Sequence, residues 1–260
     1  MRVLLLILIL MKYIISLTLL IFSITVMAQN EKSLFVAKYK YSVVADLQQP
    51  SIVYQEDMML LIGKSSSLFK SYEKFKRDSI IASRTSIDLN IFKTARPITE
   101  DEILKIYNSE KGFNSKKIGL QYYWEETMPL YNWTITSDTA SFAGYKCQKA
   151  SAFSEKTKRT YTVWFTSDIP FPTGPINMSG LPGLIIKLVD DAKSLSMELY
   201  SFQKATSDTP WVSFGTKAIK TTRAEFNKAQ SAYKENPLQF LKNSGGLSGS
   251  VSGATTTPKQ

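Results

Sequence analysis

The chain has 260 residues, one cysteine, no histidine and a formal net charge of +10, with 43% hydrophobic and 21% charged residues. That length can fold as one domain with a sizeable core, and a single cysteine excludes an intramolecular disulfide. The lack of histidine removes the commonest general base, Cys–His catalysis and His-containing zinc sites, and no glycine-rich phosphate loop is present.

Residues 1–28 read as an address rather than as fold. Residues 1–10 are apolar apart from Arg2. Met11-Lys12 then opens a second signal, with an apolar run over residues 14–26 and Val26-Met27-Ala28 before Gln29. Small or tolerated residues before the cut predict signal-peptidase cleavage between Ala28 and Gln29, with translation starting at Met11. The alternative is an uncleaved membrane anchor, since residues 1–27 are long enough to span. The residue directly after the cut is Gln29 and not a cysteine, so the expectation is a periplasmic or secreted protein and not a lipoprotein. Loss of Arg2 and Lys12 with the leader takes the net charge from +10 to +8. In an exported chain that balance points to anionic lipid head groups or polysaccharide rather than nucleic acid; scattered lysines also suit a plain basic surface.

Residues 34–47 alternate Phe35, Ala37, Tyr39, Tyr41 and Val43 against polar neighbours and predict a strand. Residues 52–54 and 57–62 pair next, and residues 67–72 return. Residues 72–83 carry Tyr72, Phe75, Ile80 and Ile81 among charges, a helix signal; residues 86–94 are ambiguous. Thr99-Glu100-Asp101-Glu102 has the form of a capping box and predicts a helix with Ile103, Ile106 and Tyr107 on one face, stopping near Gly112. Its acidic cluster is expected from the helix dipole and needs no metal.

Residues 117–125, 131–136, 142–153 and 159–166 read as strands, with turns at Asp138-Thr139-Ala140 and at residues 154–158. Cys147 lies between polar neighbours and is expected to face inward as a small hydrophobe; a reactive thiol is the alternative. Three prolines bar residues 169–175 from pairing as an interior strand, so they form an ordered loop. In Gly180-Leu181-Pro182-Gly183-Leu184-Ile185, Pro182 suits the second position of a type II turn and Gly183 the positive φ of the third. A buried strand over residues 184–189 follows, then the turn Asp190-Asp191-Ala192-Lys193 and a strand over residues 194–202. Residues 212–219 are a last strand. Thr222-Arg223-Ala224-Glu225 is a second capping box, opening a helix with Phe226, Ala229 and Tyr233 that ends before Asn236-Pro237. Residues 243–260 are rich in Gly, Ser and Thr and predict a disordered tail after a single domain over residues 29–242. The fold expected is β-rich α+β: a curved antiparallel meander sheet packed with two or three short helices.

Residues 180–185 spell the motif after which the GLPGLI family of exported Bacteroidetes proteins is named, and the chain resembles that family. The resemblance extends through Trp133, Gly144, Tyr145, Cys147, Lys149, Ala150, Trp164, Pro170, Gly174 and Pro175, in the family's order. It implies fold and compartment; the family has no established activity to carry over. The motif residues therefore read as structural, and no catalytic, cofactor-binding or metal-binding residue is assigned.

The remaining candidates for chemistry are two carboxylate pairs, Glu125-Glu126 and Asp190-Asp191, which could serve a hydrolase. Adjacent strand residues point to opposite faces, so Glu125 and Glu126 converge only through a bulge, and aspartates at a turn are expected for turn geometry. The function expected is a non-catalytic binding or accessory role in the cell envelope. The alternatives are a lipid or hydrophobic-ligand carrier, suggested by the aromatic-rich alternation, and a carboxylate-dependent envelope hydrolase. The partners expected are an outer-membrane protein or an anionic envelope component, with no cofactor.

Overall fold

The computed structural model describes residues 31–83, 99–215 and 217–244. The expected leader with its Ala28–Gln29 cut, the ambiguous stretch over residues 86–94 and the tail beyond Ser244 lie outside the described residues. The strands are β1 (Phe35–Val44), β2 (Val53–Ile62), β3 (Ser66–Ser71), β4 (Glu102–Ile106), β5 (Lys111–Ile118) and β6 (Leu120–Thr127). They continue as β7 (Thr134–Phe142), β8 (Tyr145–Ser154), β9 (Arg159–Thr166), β10 (Leu184–Asp190), β11 (Leu195–Lys204) and β12 (Ile219–Lys220). Among the described residues three helices accompany them: α1 (Tyr72–Ser83), α2 (Arg223–Glu235) and α3 (Pro237–Asn243).

All twelve strands form one sheet, in the order β12-β6-β5-β4-β3-β2-β1-β11-β10-β9-β8-β7. It is two antiparallel meanders joined where β1 pairs with β11, with β12 added parallel to β6. Connectivity forces the sheet to curl. β6 and β7 stand ten strand spacings apart, about 48 Å on a flat sheet. Residues 128–133 join them, and so short a link reaches only about 25 Å. Consistent with that curl, Lys156 in the β8–β9 turn lies 3.7 Å from Glu126 on β6.

Each face of the sheet has its own core. One face carries Tyr39, Met58, Leu60, Phe69, Val163, Phe165 and Leu188, buried together with Ile169, Met178 and Leu181 from the β9–β10 connection. On the other face Met59, Leu61, Leu68, Leu104 and Phe113 pack with Tyr72 and Phe75 of α1 and with Val212 and Phe214. A smaller cluster joins Trp124 to Phe226 of α2, rings stacked at 4.5 Å. Burying each such large side chain stabilises by about 1.5–3 kcal/mol. Ser71 caps α1 by accepting from the Lys74 N–H at 2.9 Å. Thr222 and Glu225 form the expected capping box of α2.

Several expectations fail for local reasons. Residues 102–106 are strand β4 and not a helix, because Leu104 pairs with Leu68 on one side and Phe113 on the other. The Thr99 hydroxyl accepts from the Asp101 N–H at 3.1 Å, a turn and not an N-cap, and its N–H donates to Glu56 on β2 at 3.4 Å. The stretch read as one strand over residues 117–125 is divided between β5 and β6 at Gly119, whose φ is +75°. Asp138-Thr139-Ala140 lies inside β7, where two extra residues bulge against β8. The continuous strand over residues 142–153 is interrupted by Ala143 and Gly144, with φ of 51° and 83°, as a two-residue hairpin turn requires. Among the described residues of 212–219 the expected strand is reduced to an isolated bridge from Val212 to Glu31 and the start of β12 at Ile219. Beyond α2, Asn236 accepts from the Gln239 N–H at 3.0 Å and opens α3 through Pro237.

Candidate functional site

The β9–β10 connection crosses the inner face of the curled sheet. Its backbone turns repeatedly on proline. The N–H groups of Phe171, Thr173 and Gly183 donate to the carbonyls two residues earlier, of Ile169, Phe171 and Leu181, at 2.7–2.8 Å. Pro170, Pro172 and Pro182 are the central residues of these γ-turns, whose φ matches that of the proline ring. Pro182 and Gly183 therefore do not form the expected type II turn, and Gly183 has no positive φ. Within residues 180–185 the positive φ belongs to Gly180, at +92°, and earlier in the connection Ile176 is left-handed at 54°. Gly183 is needed for space, since a Cβ there would lie 2.0 Å from the Thr166 carbonyl oxygen.

Three strands hold this connection from below. Tyr39 on β1 donates its hydroxyl to the Ile185 carbonyl at 2.8 Å. Ser67 on β3 shares a hydrogen bond with Thr173 at 2.8 Å. Lys105 on β4, 2% exposed, donates to the carbonyls of Gly174 at 2.5 Å and Met178 at 3.0 Å. Among the described residues Lys105 has no carboxylate partner, and burial lowers its ammonium to about 7. From above, Trp133 donates its indole N–H to the Ser179 carbonyl at 2.8 Å, and Tyr131 donates to Asn177 at 3.1 Å.

Most of the motif residues serve this assembly. Leu181, Leu184 and Ile185 are buried in the inner core, and Gly174 lies where a Cβ would meet the Ile185 side chain at 2.7 Å. The carbonyl of Pro175 accepts from the Met178 N–H. Elsewhere, Gly144 lies in the β7–β8 turn, Tyr145 opens β8 opposite Phe142, and Lys149 pairs with Asp138 between the two strands at 3.0 Å. Ala150 sits opposite Val163, and the ring of Trp164 lies 5.3 Å from that of Phe142. Cys147 is buried as expected, and burial pushes its thiol above the usual range, which disfavours the reactive thiolate.

The carboxylate pairs do not converge. Glu126 accepts from Arg223 at 2.6 Å, Trp124 at 3.1 Å and Asn114 at 3.4 Å, while Glu125 pairs separately with Lys111 at 3.3 Å. Burial opposes the Glu126 charge, but these donors and Lys156 outweigh it and hold the carboxyl below its usual range. Asp190 accepts from Ser194 and the Leu195 N–H, whereas Asp191 accepts from the Thr160 N–H at 2.9 Å. Both aspartates thus brace turns. No group of three acidic or cysteine side chains among the described residues could hold a metal ion.

On the outer face a cleft of about 380 Å³ opens between α1, β3, β4, β6 and residues 210–215. Trp211, Phe214 and Phe75 supply aromatic wall, and Lys70, Lys74, Asp78 and Glu102 supply charge. Lys74 bridges Glu102 at 2.9 Å and Asp78 at 3.2 Å. Burial works against its ammonium, but the two carboxylates outweigh that and raise its pKa. Sequence reading missed this cleft because it assembles five segments and placed Glu102 in a helix.

A family model described as a protein of unknown function (Porph_ging) matches residues 154–187. That span covers the β8–β9 turn, β9, the crossing connection and the first half of β10. No curated protein matches. Among solved structures the chain is similar to PNGF-II in a C2 crystal form, with a TM-score of 0.54 and 14% identity over 75% of this chain and 32% of that one. The P21 form gives a TM-score of 0.53 and 15% identity with the same coverage. Similarity at this identity is one of fold, and the chain spans about a third of the length of the PNGF-II chains it matches.

Proposed function

We propose that the chain is an exported, non-catalytic binding or accessory protein of the cell envelope, similar to the GLPGLI proteins of Bacteroidetes. The observation that carries this reading is the outer cleft of about 380 Å³, whose aromatic walls and charged floor suit recognition of a ligand or a partner segment. The carboxylates that could have served hydrolysis are each held by their own donors and brace turns or α2. The inner face, where a lipid carrier would need a hollow, is packed by Ile169, Met178 and Leu181 of the crossing connection. The basic surface favours an anionic envelope component or an outer-membrane protein as partner.

Purification under native conditions followed by mass spectrometry is the test. A co-purifying small molecule or membrane protein supports the reading. Hydrolase activity that is lost in Glu126→Gln or Asp191→Asn would overturn it. Export is checked by N-terminal sequencing of the secreted form: a chain starting at Gln29 is expected, and one that starts earlier contradicts cleavage.

A further inference from the structure

Within the outer cleft the charges are unequally matched. Lys74 contacts both nearby carboxylates, Glu102 and Asp78. Asp78 is further approached by Arg77 at 3.6 Å and Lys117 at 3.8 Å, so its charge is already shared. Lys70, one strand position from the α1 cap, points into the same cleft and makes no ion pair among the described residues. Its Nζ instead lies 5.4 Å from the centre of the Phe75 ring. A partly buried ammonium that makes no ion pair and faces a ring is under-compensated, and burial lowers its pKa despite the field of Glu102. Across the cleft from the α1 side stands Trp211, 49% exposed, beside Phe214. The Lys32 ammonium lies 6.0 Å from the centre of the Trp211 ring. A large indole left half in water, lining the same cleft as the unpaired Lys70, makes a two-part surface, one part for charge and one for a flat apolar body.

We infer that this cleft binds a small amphipathic anion, in which a carboxylate, phosphate or sulfate group meets Lys70 and a flat apolar body lies against Trp211 and Phe214. The inference rests on the binding reading above and names the ligand class for it. The volume admits a molecule of one or two rings. The anion completes the ion pairing that Lys70 lacks, in a site sheltered enough for the pair to count. Neutral molecules of the same shape retain the ring contacts and lose the charge contact.

The probe is 2-naphthoate, with 2-naphthamide as its neutral counterpart, titrated into the full mature chain and followed by Trp211 indole and amide NMR shifts. Binding of 2-naphthoate at Trp211, weakened by about tenfold or more in Lys70→Met and in 2-naphthamide, is expected from loss of a sheltered charge contact. Trp211→Ala, which leaves the buried charges in place, is expected to weaken it as well. Melting of each variant is measured alongside, so that a folding defect is seen as such. Equal binding of naphthoate to the Lys70→Met protein, equal binding of 2-naphthamide, or shifts confined to another surface would overturn the inference. The accessory reading would then still stand or fall on the co-purification experiment.

Discussion

Lys105 and Gly174 meet across the inner face of the sheet: the ammonium of one donates to the carbonyl of the other at 2.5 Å, and to that of Met178 at 3.0 Å. A charge is thus used as a peg for a loop backbone, with burial on every side. The two carbonyls favour the charged form, and desolvation opposes it. Desolvation prevails, which brings the folded pKa to about 7.

The pH dependence of stability follows from that imbalance. Between about pH 7 and pH 10 the unfolded chain, with an ordinary lysine near 10.4, holds more protons than the folded one, so stability rises with pH. Lys70 is displaced in the same direction. Above about pH 10 the buried tyrosines Tyr39 and Tyr107, whose folded pKa values are raised, reverse the slope, because only the unfolded chain ionises there. Urea unfolding across this range should show the rise, and Lys105→Met should flatten it. An unchanged slope in that variant would mean that Lys105 is not the group responsible.

Gly183 and Gly180 should respond differently to alanine. At Gly183 the added Cβ meets the Thr166 backbone at 2.0 Å, where neither side has a flexible end to move. A loss of about 3 kcal/mol is expected from such overpacking. At Gly180 the nearest atom is Trp133 Nε1 at 3.7 Å, so only the left-handed backbone is penalised, by about 1 kcal/mol. Thermal melting of the two variants gives the comparison; equal losses would refute the steric account.

Tyr39→Phe removes one hydroxyl and leaves the Ile185 carbonyl buried without its donor. On the side of β10 away from β9, the β10–β11 ladder registers only from Lys187 to Val189, so β11 has no register partner for Ile185. A destabilisation of about 1–3 kcal/mol is expected, read from the urea midpoint. A neutral result would show that the carbonyl finds water.

Glu126→Gln should destabilise by about 1 kcal/mol near pH 7, since Arg223 is half exposed and the pair is partly screened. The folded carboxyl is held low, so its contribution is present above the unfolded pKa and is lost as pH falls through the folded one. Wild type and variant should therefore converge in acid. A constant gap down to the acid limit would point to packing instead of charge.

Where residues decide their conformation among near neighbours, the chain was readable. The alternation of β1 and β9, the α2 capping box and the Asp190 turn all depend on contacts a few residues apart. The failures share a different cause. Residues 99–106 carry a helix-start pattern, yet Leu104 is claimed by partners on both sides, and long-range pairing overrides a local signal worth about 1 kcal/mol. Gly183 shows the same limit at one residue. Pro-Gly suggested a turn in which glycine serves for its φ, whereas glycine is there because Thr166 passes beside it. Lys70 and Trp211 are 141 positions apart in the chain and line one cleft only in the folded protein.

Amide hydrogen exchange over residues 169–185 tests most directly whether the crossing connection belongs to the core. Its N–H donors at Phe171, Thr173 and Gly183, and those of Leu184 and Ile185 at the start of β10, all donate to carbonyls of the connection. They are expected to exchange only on global unfolding, at the rate of the β9 and β10 amides. Fast exchange there, with β9 and β10 still protected, would contradict the packed inner face and return that side of the sheet to the list of places where a ligand can enter.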